Sequence, residues 1–261
     1  MTGRLLGKMA IVTGAGQGIG ASIARCFIRE GARVVIAELD EQAGKRSEAE
    51  LRALGGDVLY LPVDVAKQDV VNRMVERALA EFGTPDILVN NAGINVFTDP
   101  LECTEEDWRR CFSVDLDGVW YCTRAVLPHM LKAGKGDVIN IASVHASQII
   151  PGCFPYPIAK HGVLGLTRAL AIEYAARNIR VNAISPGYIA TRNVINYWDT
   201  FPDPQAEAQR AMKIHPVGRI GEPDEIGWTA VFLASDECRF MTGANLVVDG
   251  GRSILHHDAA S

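Results

Sequence analysis

The chain has 261 residues, 48% hydrophobic and 22% charged, a composition that excludes disordered and fibrous polymers and leaves enough apolar side chain for a packed core. Its formal charge of −5, with no block of Lys and Arg, excludes the concentrated cationic face that a nucleic-acid partner needs. No apolar run approaches the ~18 residues of a membrane span, and the cysteines (Cys26, Cys103, Cys111, Cys122, Cys153, Cys238) form no CxxC pair, which excludes a zinc ribbon or redox dithiol and points to buried thiols in a reducing compartment.

The opening MTGRLLGKMAIVTGAG carries early positive charge, but Gly7 and Lys8 interrupt its apolar run; it does not read as a signal peptide, and a cytoplasmic location is expected. Met9 to Thr13 is the first predicted strand, and it runs directly into TGAGQGIG, Thr13 to Gly20. Gly14, Gly18 and Gly20 would let the backbone turn tightly and approach a pyrophosphate, whose charge the start of the next helix, Ile19 to Glu30, would stabilise. Glycine-rich turns also arise for close packing alone; the position between the first strand and the first helix favours the dinucleotide. The second strand, Arg33 to Ala37, ends at Glu38, where a carboxylate would accept from an adenosine ribose and repel a 2′-phosphate. Gln17 fits the same choice, because a turn built to neutralise a phosphate would carry Arg or Lys. NAD is therefore expected over NADP, unless Arg4, Lys8 or Lys45 folds into reach.

The third strand, Val58 to Leu61, precedes Asp64 and Val65, and Asp64 reads either as an acceptor for an adenine amino group or as a turn residue. After a helix over Asp69 to Phe82, the fourth strand, Ile87 to Asn90, ends in NNAG. This places Asn90, Ala92 and Gly93 beside a cofactor crevice, with a strand-end cap as the other reading of Asn90. Glu105 to Met130 reads as one long helix, and Val138 to Ala142 as the fifth strand, closed by Ser143.

Tyr156 and Lys160, in PYPIAKHG, open a helix predicted over Ile158 to Arg177. Four residues apart, they share a helical face within ~6 Å of rise. A tyrosine of pKa ~10 becomes a base near neutrality only with about 4 kcal/mol of differential stabilisation. An exposed ion pair supplies about 1 kcal/mol or less, so Lys160 must be desolvated and assisted by a positive nicotinamide ring.

Val181 to Ser185 is the sixth strand, Asp224 to Ala234 the last helix and Leu246 to Val248 the seventh strand. Between them, residues 191–221 break the rhythm with aromatics, prolines and polar residues, as a substrate lid does; a surface excursion without function is the bland reading. Several strands are apolar at consecutive positions, the mark of a parallel sheet buried on both faces. The pattern predicts an α/β fold spanning residues 1–261 without a linker. It is a single doubly wound, Rossmann-type domain whose seven-stranded parallel sheet carries helices on both faces.

TGAGQGIG, NNAG at Asn90 to Gly93, Ser143, YPIAK at Tyr156 to Lys160 and SPG at Ser185 to Gly187 together resemble the short-chain dehydrogenase/reductase family over essentially the whole chain. The resemblance implies Tyr156 as general acid/base, Ser143 as donor to the substrate oxygen, and Lys160 as holder of the nicotinamide ribose that also lowers the Tyr156 pKa. It also implies that Ile19 and Val65 belong to the cofactor site and that Pro186, Gly187, Ile189 and Thr191 lie along the nicotinamide, Ile189 and Thr191 fixing its carboxamide. The chain departs from the family at VDLDGV, Val114 to Val119, where Asp115 replaces the usual asparagine. In the family much of that residue's work falls to its backbone carbonyl, which Asp115 preserves, but a carboxylate can pair with Lys160 and weaken its pull on Tyr156.

His145, Gln148 and Asn95 are expected beside the substrate carbonyl, and such polar groups suit a small polyhydroxylated molecule. In the lid, Trp198 is expected to stack on a sugar face and Arg192 to pair with a carboxylate, with Asn193 and His215 nearby; helix caps and lid packing are the competing reading of these residues. The stretch YWDTFPDPQAEAQR resembles short-chain enzymes acting on sugars such as L-fucose or L-rhamnose, or on derived sugar acids. A 3-oxoacyl or hydroxysteroid-type reductase would share every catalytic residue, and a non-catalytic dinucleotide sensor is the alternative outside enzymology. Family members are commonly tetramers, so a homotetramer is expected, with His256 and His257 either reaching a neighbouring subunit or ending free.

Overall fold

A computed structural model describes residues 3–255, apart from the side chain of Asn193; His256 and His257 lie outside the described residues. Seven parallel strands form the sheet: β1 (Met9–Thr13), β2 (Arg33–Glu38), β3 (Val58–Pro62), β4 (Ile87–Asn90), β6 (Gly136–Ile141), β8 (Ile179–Pro186) and β9 (Asn245–Val248). Their spatial order is β3-β2-β1-β4-β6-β8-β9. The chain thus winds outward from β1 in one direction and from β4 in the other, and a crevice opens at the carboxyl ends of these two neighbours, where the winding reverses.

Every residue of β1, β4, β6 and β8 is buried, which fits their mostly apolar sequence; the polar side chains among them are paired, as where Arg180 of β8 meets Asp137 of β6 at 2.8 Å. Successive side chains of β1 enter opposite layers. Ala10 and Val12 pack with Ile23 and Phe27 of α1 (Gly18–Arg29) and Ile226 of α9 (Pro223–Ala234). Met9 and Ile11 pack with Met74 of α3 (Gln68–Phe82) and Val126 of α5 (Gly118–Ala133). Helices therefore cover both faces, as the strand–helix alternation predicts.

Local departures from the sequence reading follow from packing. A helix not foreseen, α2 (Glu41–Ala53), buries only Ala43, Gly44, Ser47 and Leu51 and is held at its start by Asp40, whose carboxylate accepts from the Gln42 and Ala43 amides. The long helix expected over residues 105–130 is broken: α4 (Glu105–Phe112) passes through a π-helical turn, Ser113–Asp117, into α5. A short antiparallel pair, β5 (Phe97–Thr98) with β7 (Phe154–Pro155), precedes α6 (Tyr156–Tyr174). Residues 191–221 form α7 (Arg192–Trp198) and α8 (Pro204–Lys213) and return to their point of departure, where Gly221 bonds the backbone of Tyr188 and Ala190. All the cysteines are free; five are buried and Cys103 is partly exposed, a correction to the expectation of uniformly buried thiols. Among the described residues, no helix is long and apolar enough to cross a membrane and no cluster is arranged to hold a metal ion.

Candidate active site

A cleft of about 410 Å³ runs across the carboxyl ends of the central strands, a size typical of ligand sites. At one end β1 turns through Gly14, with φ +63°, and Gly18, with φ +58°, conformations that a side chain disfavours. Gln17 precedes α1 but places no side chain on its first turn, so backbone donors there remain to face an anion. Gly14, Gln17, Gly18 and Ile19 line the cleft. Gly20 does not: an added Cβ would lie 2.2 Å from the Gly14 carbonyl oxygen, so this glycine serves helix-to-strand packing, and its expected contact with the cofactor is corrected.

Glu38 stands at the end of β2, its two carboxylate oxygens accepting from the Gly16 and Asp40 amides, each at 3.0 Å. The cleft also takes in Leu39, Asp64 and Val65. Asp64 closes its turn onto the Ala66 amide at 3.1 Å and pairs with Lys67 at 3.2 Å, the turn role expected of it, while also lining the cleft. Arg4, Lys8 and Lys45 are held elsewhere, by Glu237, Asp236 and Glu41. The cations that line the cleft are Lys160, Arg192 and Arg252.

Ala92, Gly93 and Asn95 line the cleft as expected, but Asn90 does not. Its amide is buried and donates to Thr123 at 3.0 Å and to Asn140 at 2.8 Å. The neighbouring Asn91 takes its place at the cleft, bonding the Thr13 and Gly14 carbonyls at 2.9 and 3.0 Å. Successive side chains at a strand end face opposite sides, and the sequence does not say which asparagine turns inward.

Ser143, Tyr156 and Lys160 converge on the same cleft. The Ser143 hydroxyl accepts from the His145 amide at 3.2 Å, which leaves its own proton free to donate. Lys160 is 4% exposed, and its Nζ donates to the Ile141 carbonyl at 3.3 Å and lies 5.4 Å from the Tyr156 ring centre. The π-helical turn carries Asp115 inward, fully buried, with Oδ1 3.1 Å from Lys160 Nζ. Gly93 makes room for the pair, since a Cβ there would come within 2.7 Å of Asp115 Oδ1.

Burial alone would lower the Lys160 pKa; the carboxylate of Asp115 reverses this and holds the ammonium charged. Burial pushes the Asp115 carboxyl up against the pull of Lys160. Tyr156 is displaced upward, first by burial and then by Asp115, against the lowering pull of Lys160 and a smaller one from Ser143. Lys160 thus acts in the expected lowering direction, while burial and the Asp115 carboxylate act against it.

His145, near Tyr156 with ring centres 6.1 Å apart, lines the substrate end of the cleft, and Arg192 also lines the cleft. Gln148 does not; its side-chain amide turns away to the Ser253 carbonyl. Trp198 is 8% exposed and packed inside the lid, and His215 is buried with Nδ1 on the Ala211 carbonyl. Neither lines the cleft, and both are corrected as substrate contacts. Tyr197 faces the cleft in place of Trp198, set edge-on to Phe97 with ring centres 5.7 Å apart. Phe97, Tyr188, Tyr197 and Arg252 had no signature in sequence; long-range contacts deliver them, and Arg252 comes from a segment that reads as a polar tail.

The arrangement offers a cradle for a dinucleotide, a protonatable phenol beside a buried cation, and a pocket beyond them. Residues 14–253 match the family model described as enoyl-(acyl carrier protein) reductase. An uncharacterised oxidoreductase of Thermotoga maritima is 42% identical over 96% of this chain and 97% of its own. A 3-oxoacyl-(acyl-carrier-protein) reductase of Chlamydia muridarum is 39% identical, over 96% of this chain and 99% of its own. Among solved structures, the ligand-free aldohexose dehydrogenase of Thermoplasma acidophilum superposes with a TM-score of 0.90 at 32% identity, each chain covered completely at 100%.

Proposed function

Because the chain belongs to the short-chain dehydrogenase/reductase family of oxidoreductases, which use a nicotinamide cofactor, we propose that it is an NAD-dependent dehydrogenase interconverting a secondary alcohol and a ketone on a small polyhydroxylated molecule. The observation that supports the choice of NAD is Glu38: its carboxylate lines the cleft at the end of β2 and accepts from the Gly16 amide of the glycine turn, and none of the ion pairs among the described residues brings a cation to it. A 2′-phosphate there would meet a negative charge and no compensating one. Gly14, Gln17, Gly18 and Ile19 would hold the pyrophosphate; Pro186, Gly187, Ile189 and Thr191, all at the cleft, would flank the nicotinamide.

A bound oxidised nicotinamide would supply the hydride acceptor and a positive charge that favours the phenolate. In oxidation, the Tyr156 phenolate takes the proton from the substrate hydroxyl, while the Ser143 hydroxyl donates to the same oxygen and fixes its distance. Lys160, kept charged by Asp115, stabilises the phenolate and would hold the nicotinamide ribose. In reduction the proton travels back from Tyr156 to the ketone oxygen. The lid over residues 191–221 limits water at the reacting carbon.

A hydroxylated substrate is supported by His145 and Asn95 at the cleft and by the likeness to an aldohexose dehydrogenase. A spectrophotometric screen of aldoses, sugar acids and 3-oxoacyl thioesters with NAD and NADP tests the reading. Turnover of the hydroxylated compounds with NAD is expected; preference for an acyl thioester with NADPH would replace it. That second reading has its own support, the likeness to a 3-oxoacyl reductase and the apolar Ile94, Phe97, Ile150 and Val194 of the pocket.

A further inference from the structure

We infer that Arg252 receives a carboxylate of the substrate, so that the molecule oxidised is a hydroxy acid of the sugar-acid type. This inference rests on the proposed function and deepens it. Charge is distributed unevenly along the cleft. Glu38 and Asp64 occupy the adenosine end and Asp115 is neutralised by Lys160, whereas beyond Tyr156 the lining residues include arginine and no acid.

Arg252 occupies the turn Arg252–Ile254 that follows β9. Its guanidinium stacks on the Tyr188 ring, 4.9 Å from the centre, and no carboxylate among the described residues forms an ion pair with it. The turn is built rather than loose: the Asp249 carboxylate accepts from the Gly251 amide at 3.0 Å and the Ser253 amide at 2.7 Å, and Gln148 reaches across from the loop after Ser143 to the Ser253 carbonyl. A guanidinium held over an aromatic ring and paired with no carboxylate among the described residues keeps its donors for a bidentate partner.

Arg192 is the less suitable cation. It is exposed and adjoins Thr191, whose side chain faces Gly18 of the glycine turn. Arg252 instead sits with His145, whose ring is 6.1 Å from that of Tyr156, and its charge adds to burial in lowering the His145 pKa. A neutral imidazole and a cationic guanidinium beyond the phenol present a hydrogen bond and a charge to an acid whose hydroxyl meets Tyr156.

The test compares kcat/KM of C4 to C7 aldonates with that of their neutral aldonamides, using NAD, for the parent, Arg252→Gln and Arg252→Lys. The parent is expected to prefer the acids by about 10- to 100-fold. Arg252→Gln should reduce that ratio to within about threefold of unity, chiefly through KM for the acid, and Arg252→Lys should restore part of it because charge returns without the fork. Equal loss for acid and amide in Arg252→Gln would show a structural role and overturn the inference. Neutral polyols or acyl thioesters turned over in preference to acids by the parent would also overturn it, the first leaving the proposed function intact. No turnover across the panel, with NAD bound, removes both.

Discussion

Lys160 Nζ and Asp115 Oδ1 stand 3.1 Å apart in a site where neither side chain is exposed by more than 5%. The same carboxylate that keeps the lysine charged raises the Tyr156 pKa. Oxidation requires the phenolate, so kcat/KM for the alcohol climbs with pH through the Tyr156 pKa, and Asp115 shifts that climb toward alkaline pH. Asp115→Asn removes the negative charge and should move the acid limb to lower pH. Superimposable pH profiles for the two proteins would show that the charge has no influence on the phenol.

Tyr156→Phe deletes the proton donor while leaving the edge contact of the ring with Phe97, whose centre is 5.6 Å away. A general acid/base of this kind contributes about 10²- to 10⁴-fold, so kcat should fall within that range. NAD affinity, measured by quenching of protein fluorescence, should change by less than about threefold, because the pyrophosphate and ribose contacts lie elsewhere in the cleft. A residual kcat above a tenth of the parent's would assign the proton to another group.

Much of this site is legible in sequence because it is local. The glycine turn after β1 and the four-residue spacing of Tyr156 and Lys160 each depend on one strand end or one helical turn. Residues whose position depends on tertiary packing escape: the π-helical turn that aims Asp115 at Lys160, the β5–β7 pair that sets Phe97 against Tyr156, and Arg252, delivered from beyond β9 by the Asp249-capped turn. Single-residue ambiguity accounts for Asn90 against Asn91 and for Trp198 against Tyr197. In both cases the residue that faces the cleft is the neighbour of the one expected, decided by contacts distant in sequence.

Glu38→Ser should shift the cofactor ratio. Loss of the carboxylate removes the acceptor expected for the ribose hydroxyls and the repulsion of a 2′-phosphate, and it frees the Gly16 amide, now bonded to Glu38 at 3.0 Å. The ratio of kcat/KM for NAD over NADP should fall by about 10- to 100-fold, the equivalent of about 1.4–2.7 kcal/mol. A ratio unchanged by the substitution would place discrimination at another residue.

Asn90 is expected to act on stability and not on the cofactor. Its amide links Thr123 to Asn140, and Asn140 continues to Thr167 at 2.9 Å, a buried polar chain joining β4, α5, β6 and α6. Asn90→Ala leaves partners unsatisfied at about 1–3 kcal/mol, and about 2–4 °C of Tm accompanies each kcal/mol in a chain of this size. NAD affinity of the folded variant should stay within about twofold. Weakened NAD binding without a change in Tm would return Asn90 to the cofactor site.

Adjacent aromatics in α7 separate lid packing from substrate contact. Trp198 is buried and absent from the cleft wall, whereas Tyr197 lines it, braced edge-on by Phe97 and by Phe201, the latter with ring centres 5.1 Å apart. Removing a buried indole leaves a cavity costing about 3–5 kcal/mol where the surroundings cannot collapse. A lid anchored by few other contacts responds by loosening locally, so part of that cost should appear as faster proteolysis within residues 191–221 and less as a fall in global Tm. Tyr197→Ala should leave the proteolysis rate near the parent's and raise substrate KM severalfold, since the ring it removes stands in the pocket wall and not beneath it. The reverse pattern, with KM sensitive to Trp198→Ala and lid cleavage sensitive to Tyr197→Ala, would mean that α7 turns its other face to the substrate when the site is filled.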